Sequence, residues 1–276
     1  VDAVWQDTLA AALGIGDRSC VAFVGAGGKT TALRRLCAEL AAAGRRVIAT
    51  TTTAMFRSEL AGVGPVLVRR ADARWAAELG ASLAADGAVA VVAGEQAGGK
   101  ARGLSREAVD ELWASGLADH VVVEADGSRG LPLKAFGRNE PQVPAAADLV
   151  VVLAGLDALG APLLEDHVHR AGLLAALVGM PMGAEVTPAV VAGGVRAQVA
   201  RVTTGPAVRR RVILLNKAES VALIAAGGAI AADLLEGASA CAGQSGEAGV
   251  PDAVVVGSLR DGTFRVVAGR ASTREV

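Results

Sequence analysis

Cysteine is scarce. Cys20, Cys37 and Cys241 are the whole complement of a 276-residue chain, and none stands in a C-x-x-C pair. So odd and scattered a set supports neither a disulfide framework nor a zinc knuckle, and it suits a reducing cytoplasm. An excess of charge is lacking too. The 27 Lys and Arg stand against 28 Asp and Glu, for a net charge of −1. No basic field points to nucleic acid and no polybasic tract to a membrane surface. Nor is there an apolar run of membrane-spanning length. The longest candidate, Leu149 to Leu164, is interrupted by Asp157, two glycines and Pro162. The opening residues lack a basic stretch followed by an apolar one, so no signal peptide is expected.

Apolar residues make up 52% of the chain, enough for a sizeable core in one α/β domain spanning 1–276. Short valine-rich runs read as strands at Cys20–Val24, Val47–Thr50, Pro65–Val68, Ala88–Val92, His120–Glu124, Leu149–Leu153, Val212–Leu215 and Ala253–Val256. They are continuous rather than alternating, the pattern of strands buried on both faces. Between them, Ala32–Ala43, Asp72–Ala84, Arg106–Ser115 and Ser220–Leu235 carry helical spacing. Strand alternating with helix implies a mostly parallel sheet covered on both sides. A leading helix is expected within 1–14 and a last edge strand at Phe264–Ala268. The Gly/Ala/Ser-rich stretch 237–249 reads as a mobile loop. Pro181–Gly205 has weak periodicity, although Thr187-Pro188 has the form of a helix start.

The segment Gly25-Ala26-Gly27-Gly28-Lys29-Thr30-Thr31 joins a buried-strand signal to a helix signal. The common phosphate-loop pattern G-x-x-x-x-G-K-[S/T] would need its first glycine at Phe23, so the signature is shortened. Its chemistry is intact. Glycines let backbone N–H groups approach phosphate oxygens, and the helix dipole favours an anion there. Lys29 can reach β- and γ-phosphates and Thr30 can offer its hydroxyl to Mg²⁺. Loops of the form G-x-x-G-K-T-T resemble those of the Mur-ligase ATP-binding domain.

Three later stretches fit the same site. Thr50 to Thr53 close a strand. Either one of them, with Thr52 the choice, contacts Mg²⁺ or a γ-phosphate, or the run reflects β-propensity followed by a helix cap near Ala54. Glu124 and Asp126 end the apolar run His120–Glu124 in a Walker-B layout, where a carboxylate holds Mg²⁺. Arg129 and Lys134 follow in a Gly/Pro-bracketed loop, open to a phosphate or an acidic substrate. Asn216-Lys217-Ala-Glu219 follows another apolar run and matches Asn-Lys-x-Asp, the guanine-reading motif of GTPases, with Glu in place of Asp. In Glu165–Gly172, His167 and His169 are two residues apart, about 200° on a helix, and do not share a metal. His169 and Arg170 either touch a substrate or belong to a polar helix start with Glu165 and Asp166 in its first turn.

Taken in order, GAGGKTT (25–31), TTTT (50–53), EADGSRGLPLK (124–134), GLDALGAPL (155–163), His169-Arg170 and NKAE (216–219) resemble the YqeC family of selenium-dependent molybdenum hydroxylase accessory proteins. The resemblance implies a P-loop nucleoside triphosphate hydrolase-like fold. It also implies a role in maturing a molybdenum hydroxylase client or its cofactor, and specifies no reaction. Mg²⁺ with GTP or ATP is the expected cofactor set, at Gly25–Thr31, Asn216, Lys217 and Glu219 for the nucleotide and Thr30, Thr52, Glu124 and Asp126 for the metal. Lys29, Glu124 and Asp126 are the expected catalytic residues. A GTPase-like chaperone, an ATP-dependent ligase or kinase acting on a small molecule, and a nucleotide-gated module with negligible turnover all fit these motifs. The sequence says nothing of oligomeric state.

Overall fold

The computed structural model describes residues 3–202, 208–240 and 251–268. Its strands in chain order are β1 (Ala3–Gln6), β2 (Ser19–Gly25), β3 (Val47–Thr51), β4 (Met55–Phe56), β5 (Val66–Val68), β6 (Ala88–Val92), β7 (Gly94–Gln96), β8 (Lys100–Arg102), β9 (His120–Glu124), β10 (Leu133–Lys134), β11 (Leu149–Gly155), β12 (Val168–His169), β13 (Arg210–Asn216), β14 (Ala253–Ser258) and β15 (Thr263–Ala268). The α-helices are α1 (Leu9–Leu13), α2 (Lys29–Ala42), α3 (Arg57–Ala61), α4 (Ala73–Asp86), α5 (Arg106–Ala114), α6 (Ala171–Val178), α7 (Pro188–Arg201) and α8 (Val221–Ala240).

Helix ends follow local chemistry. Asp72 caps α4 by accepting from Trp75 N at 2.7 Å, and Ser105 caps α5 by accepting from Ala108 N at 3.2 Å. Thr187 caps α7, with Pro188 in its first turn. The segment without clear periodicity is therefore largely a helix, and its Thr-Pro start is where the sequence places it.

One sheet has the order β1-β15-β14-β13-β11-β2-β9-β3-β6-β5. Pairings from β14 through to β5 are all parallel, while β14–β15 and β15–β1 are antiparallel. The architecture is the expected α/β class with helices on both faces. Alternate residues of each strand feed two cores. Cys20, Ala22 and Val24 of β2 pack with residues of α4 to α8, such as Leu79, Val109, Leu174, Val195 and Leu234. Val21 and Phe23 pack with Leu9, Leu33, Leu36 and Leu60 from α1, α2 and α3. Cys20 and Cys37 are free buried thiols, one in each core. Among the described residues no helix is long and apolar enough to cross a membrane.

Three expectations need correction. The leading helix over 1–14 is in fact a strand and a short helix. Ala3–Gln6 pairs antiparallel with β15, Trp5 opposite Arg265, before Thr8 caps α1. A four-residue strand is too short for its pairing to register in local periodicity. As a consequence β15 is not an edge, because β1 lies outside it. Finally, α8 continues to Ala240, taking in the start of the expected 237–249 loop; 241–249, and Cys241 with it, lie outside the described residues.

Register places the site. Thr51 is level with Glu124, Glu124 with Phe23, Gly25 with Leu153, and Gly155 with Asn216. The ends of β3, β9, β2, β11 and β13 thus form one row at the carboxyl edge of the sheet, where ligands of open α/β sheets bind.

Candidate functional site

The loop after β2 is shaped by close backbone contact. Gly27 has φ 83°, and a Cβ built on it would lie 2.2 Å from Gly155 N and 2.8 Å from Pro132 O. Only glycine fits. The loop, the end of β11 and the Leu131–Lys134 segment therefore meet backbone to backbone at this residue. Ala26 N donates to Leu153 O at 2.9 Å and Gly27 N to Leu131 O at 3.1 Å. Gly28 (φ 124°) is the N-cap of α2 and brings no side chain to cap it. The N–H groups of the first helical turn, at Lys29, Thr30 and Thr31, are left for an external acceptor, with the positive end of the helix behind them.

Gly25 is pinned at both of its polar ends. Its N–H donates to Asp126 Oδ2 at 3.0 Å, and its carbonyl accepts from Lys29 Nζ at 2.6 Å. Lys29, only 3% exposed, also lies 3.3 Å from Asp126 Oδ1. That contact is an ion pair without hydrogen-bond geometry, and Oδ1 has no hydrogen-bond partner. Asp126 has no exposed surface.

The two acids of the Walker-B layout separate here. Glu124 Oε2 accepts from Thr30 Oγ1 at 2.8 Å, while Asp126 stands between Lys29 and Lys134. Burial pushes the Glu124 carboxyl up to about 7, against the opposing pull of Lys29 and the Thr30 hydrogen bond. Thr30 and Glu124 offer hard oxygen atoms of the kind Mg²⁺ prefers, as does the unpartnered Asp126 Oδ1. No cluster of three or more His, Cys, Asp or Glu suited to a metal occurs among the described residues. A Mg²⁺ bound here would take much of its shell from water and phosphate, as that ion commonly does. Of the threonines, Thr50 Oγ1 donates to Val91 O, Thr51 Oγ1 to Glu124 O and Thr52 Oγ1 to Gln142 O. Thr52 N also donates to Glu124 O at 3.0 Å, so the run braces the end of β9.

Of the residues offered to a substrate, Arg129 is exposed, while Lys134, His169 and Arg170 lie deeper than the sequence suggests. Lys134 has no exposed surface, and its ammonium is shared by Asp126 Oδ2 (3.0 Å), Gly127 O (2.6 Å) and Glu140 Oε2 (2.7 Å). With three donors in use it is an internal ion-pair partner, not an open hand. Arg170 grips Glu140 with both terminal nitrogens, at 2.6 and 3.0 Å. His169 pairs with Lys134 in the parallel β10–β12 ladder and is buried. Burial, and then the charges of Arg170 and Lys134, lower its pKa, which favours neutral imidazole. Glu165 and Asp166 precede α6 rather than starting it, and Glu165 Oε2 accepts from Arg170 N at 3.1 Å.

The Asn-Lys-x-Glu residues are spread out. Asn216 is buried and bridges Gly27 O (2.7 Å) and Leu259 N (3.0 Å). Its amide is committed to the loop rather than left open. Lys217 Nζ pairs with Asp157 at 2.6 Å, and Glu219 lies 3.7 Å from the exposed Arg260. Among the described residues the non-glycine positions with left-handed backbone are Arg129 (φ 55°), Arg170 (φ 62°) and Lys217 (φ 66°). All three belong to the sequence-selected set, and each conformation costs roughly 1 kcal/mol. Such strain clusters at ligand sites. Glu140 and Gln198 escape the sequence reading. Gln198 Nε2 donates to Lys134 O at 2.5 Å.

The motifs that converge here also carry the kinship. The family model described as "YqeC protein" matches residues 21–172, from β2 through the glycine loop, the threonine run, Glu124–Lys134 and Gly155–Leu163 to His169-Arg170. "Uncharacterized protein YqeC" of Escherichia coli (strain K12) is 38% identical over 160 residues, 58% of this chain and 60% of that protein. The chain thus matches about three fifths of that relative's length. Among solved structures, the signal recognition particle 54 kDa protein from Aeropyrum pernix K1 in complex with GDP aligns with 92% of this chain and 45% of its own, at 15% identity and a TM-score of 0.40. A likeness at that level bears on neither ligand nor activity. The family match, laid over most of the row of strand ends that builds the site, is the finding that counts: the chain belongs to the YqeC family.

Proposed function

We propose that this protein binds a magnesium nucleoside triphosphate, GTP or ATP, at Gly25–Thr31 and hydrolyses it in maturing a selenium-dependent molybdenum hydroxylase or its cofactor. One observation carries the nucleotide reading. An uncapped helix N-terminus, a buried lysine and a Thr30–Glu124 pair 2.8 Å apart meet at the carboxyl edge of a parallel sheet. Phosphate is the anion such an N-terminus receives. Thr30 and Glu124 would hold Mg²⁺, which neutralises charge on phosphate oxygens when bound. Lys29 adds a point charge beside the first helical turn. The accessory role is supported by the motif resemblance and by family membership. Its client would be a molybdenum hydroxylase or a protein that matures its cofactor.

Calorimetry with Mg-GTP and Mg-ATP, followed by phosphate-release assays, tests the reading. Binding of at least one nucleotide is expected, weakened about tenfold or more in Lys29→Ala through loss of a hydrogen bond to a charged group. Lys134 still pairs with Asp126 in that variant, so the fold should persist. No binding of either nucleotide by the wild type, or unchanged affinity in folded Lys29→Ala, would remove the phosphate-loop assignment. Binding without turnover would leave a nucleotide-gated module.

A further inference from the structure

From the side chains behind the loop we infer that Glu140 is a positioning residue for the phosphate loop, acting through Lys134 and Asp126; this rests on the nucleotide reading of that loop.

Five charges alternate in a line from surface to site. Arg170 holds Glu140, Glu140 holds Lys134, Lys134 holds Asp126, and Asp126 faces Lys29. Asp126 Oδ2 is the shared atom, receiving both Lys134 Nζ and Gly25 N at 3.0 Å. How tightly Lys134 draws that oxygen therefore bears on the loop's first residue. Lys134 is balanced because a second carboxylate, Glu140, lies 2.7 Å away on its other side. Glu140 is in turn fixed by Arg170 and by Gly137 N. With Glu140 neutral, a fully buried ammonium would have one carboxylate in place of two, and Asp126 would turn toward it. The Gly25 N–H would lose its acceptor, and Lys29 would lose the pinned carbonyl and the facing carboxylate that now hold it. Sequence separation hides the arrangement, for Glu140 and Arg170 are 30 residues apart.

The experiment has two arms on the full chain. In the first, amide hydrogen exchange is followed by NMR without ligand. Glu140→Gln should speed exchange at Gly25 about tenfold, while Ala90 N, bonded to Pro65 O in the sheet, keeps its rate. Glu140→Asp retains the charge and should restore most of the protection. In the second arm, Mg-nucleotide affinity is measured in a double-mutant cycle. Lys29→Ala should cost about tenfold in the wild type but about threefold or less in Glu140→Gln, because the two sites act through one carboxylate, with Lys29 at Asp126 Oδ1 and Lys134 at Oδ2. Gly25 and Ala90 exchange accelerating together, or Lys29→Ala keeping its full effect in the Glu140→Gln background, would overturn the inference. If Glu140→Gln does not fold, Arg170→Met at the solvent-facing end replaces it, with about a threefold change expected at Gly25 and no change overturning the inference. Absence of nucleotide binding in the wild type would overturn the nucleotide reading, and the exchange arm would still decide whether Glu140 fixes Gly25.

Discussion

Asn216 donates its side-chain amide to the Gly27 carbonyl at 2.7 Å, joining residues 189 positions apart. Its Oδ1 accepts from Leu259 N, so one buried side chain links the glycine loop to β13 and to the turn after β14. Asn216→Ala would leave a buried carbonyl and a buried N–H without partners. A loss of about 2–4 kcal/mol is expected, from roughly 1–3 kcal/mol for each group with some relaxation. Urea denaturation checks it, and a change below about 0.5 kcal/mol would mean the bridge is not formed in solution.

Glu124 and Asp126 should respond differently to loss of charge. Glu124→Gln keeps an acceptor for Thr30 and removes only one buried carboxyl. It should fold normally and lose turnover far more than nucleotide affinity, because charge matters most in the transition state. Asp126→Asn instead leaves Lys29 and Lys134 without the carboxylate between them. Breaking a buried pair in this way costs about 3–5 kcal/mol. Thermal melts and phosphate release on both variants test the contrast. Equal stability of the two would sink this division of roles.

On the proposed nucleotide reading, nucleobase choice would rest on Glu219. A carboxylate at that position can accept from a ring N–H and an exocyclic amine on one edge of guanine, whereas adenine presents an unprotonated N1. Glu219 is partly exposed and 3.7 Å from Arg260, so water and that cation can relieve a mismatch. GTP should bind more tightly than ATP by a modest margin, about tenfold or less, against the far larger rejection a dry site produces. Glu219→Ala should erase the margin. Competition binding of the two nucleotides decides it, and tighter ATP binding by the wild type would favour an ATP-dependent ligase or kinase.

Acid should weaken the protein through Glu140. Burial alone would raise this carboxyl, but hydrogen bonds from Arg170 and Lys134 outweigh it and hold the pKa at about 2, below the ordinary 4.5. A depressed folded-state pKa contributes stability above the unfolded value and loses it as pH falls through the folded one. The window is therefore about pH 4.5 to 2. At 1.4 kcal/mol per unit, the full shift is worth up to about 3 kcal/mol. Solvent at the rim of this partly buried group reduces that to roughly 1–2 kcal/mol. Denaturation at pH 6 and pH 3, which covers about three fifths of that window, should show the wild type losing about 1 kcal/mol more than Glu140→Gln. Parallel losses would show that the contacts of Glu140 carry no such linkage.

Much of the frame is legible locally. His120–Glu124 and Ala88–Val92 read as strands at the observed boundaries, because a strand buried on both faces must be a continuous apolar run. The helix at Lys29 is legible because glycine, lysine and threonine after such a run mark a strand-to-loop-to-helix passage. Ala3–Gln6 escaped because its partner strand is far away in sequence, with Ala3 opposite Val267 and Gln6 opposite Phe264, and its own four residues carry no period.

By itself the sequence determined the main strands of the parallel sheet, several of the helices between them, and the glycine loop at a helix head. Those features depend on backbone propensity, capping and runs of neighbours, all of which act over a few residues. Only the tertiary structure decided which acid meets which cation. Glu124 and Asp126 are near-equivalent in a one-dimensional reading, two carboxylates at the end of an apolar strand. Parallel register sets Glu124 beside Thr30, while the loop that follows turns Asp126 inward between Lys29 and Lys134. Glu140 sits in a polar loop with no local signal at all. Its role arises because a buried ammonium needs carboxylates around it, and the chain supplies the second one by packing β10 and β12 side by side below Arg170.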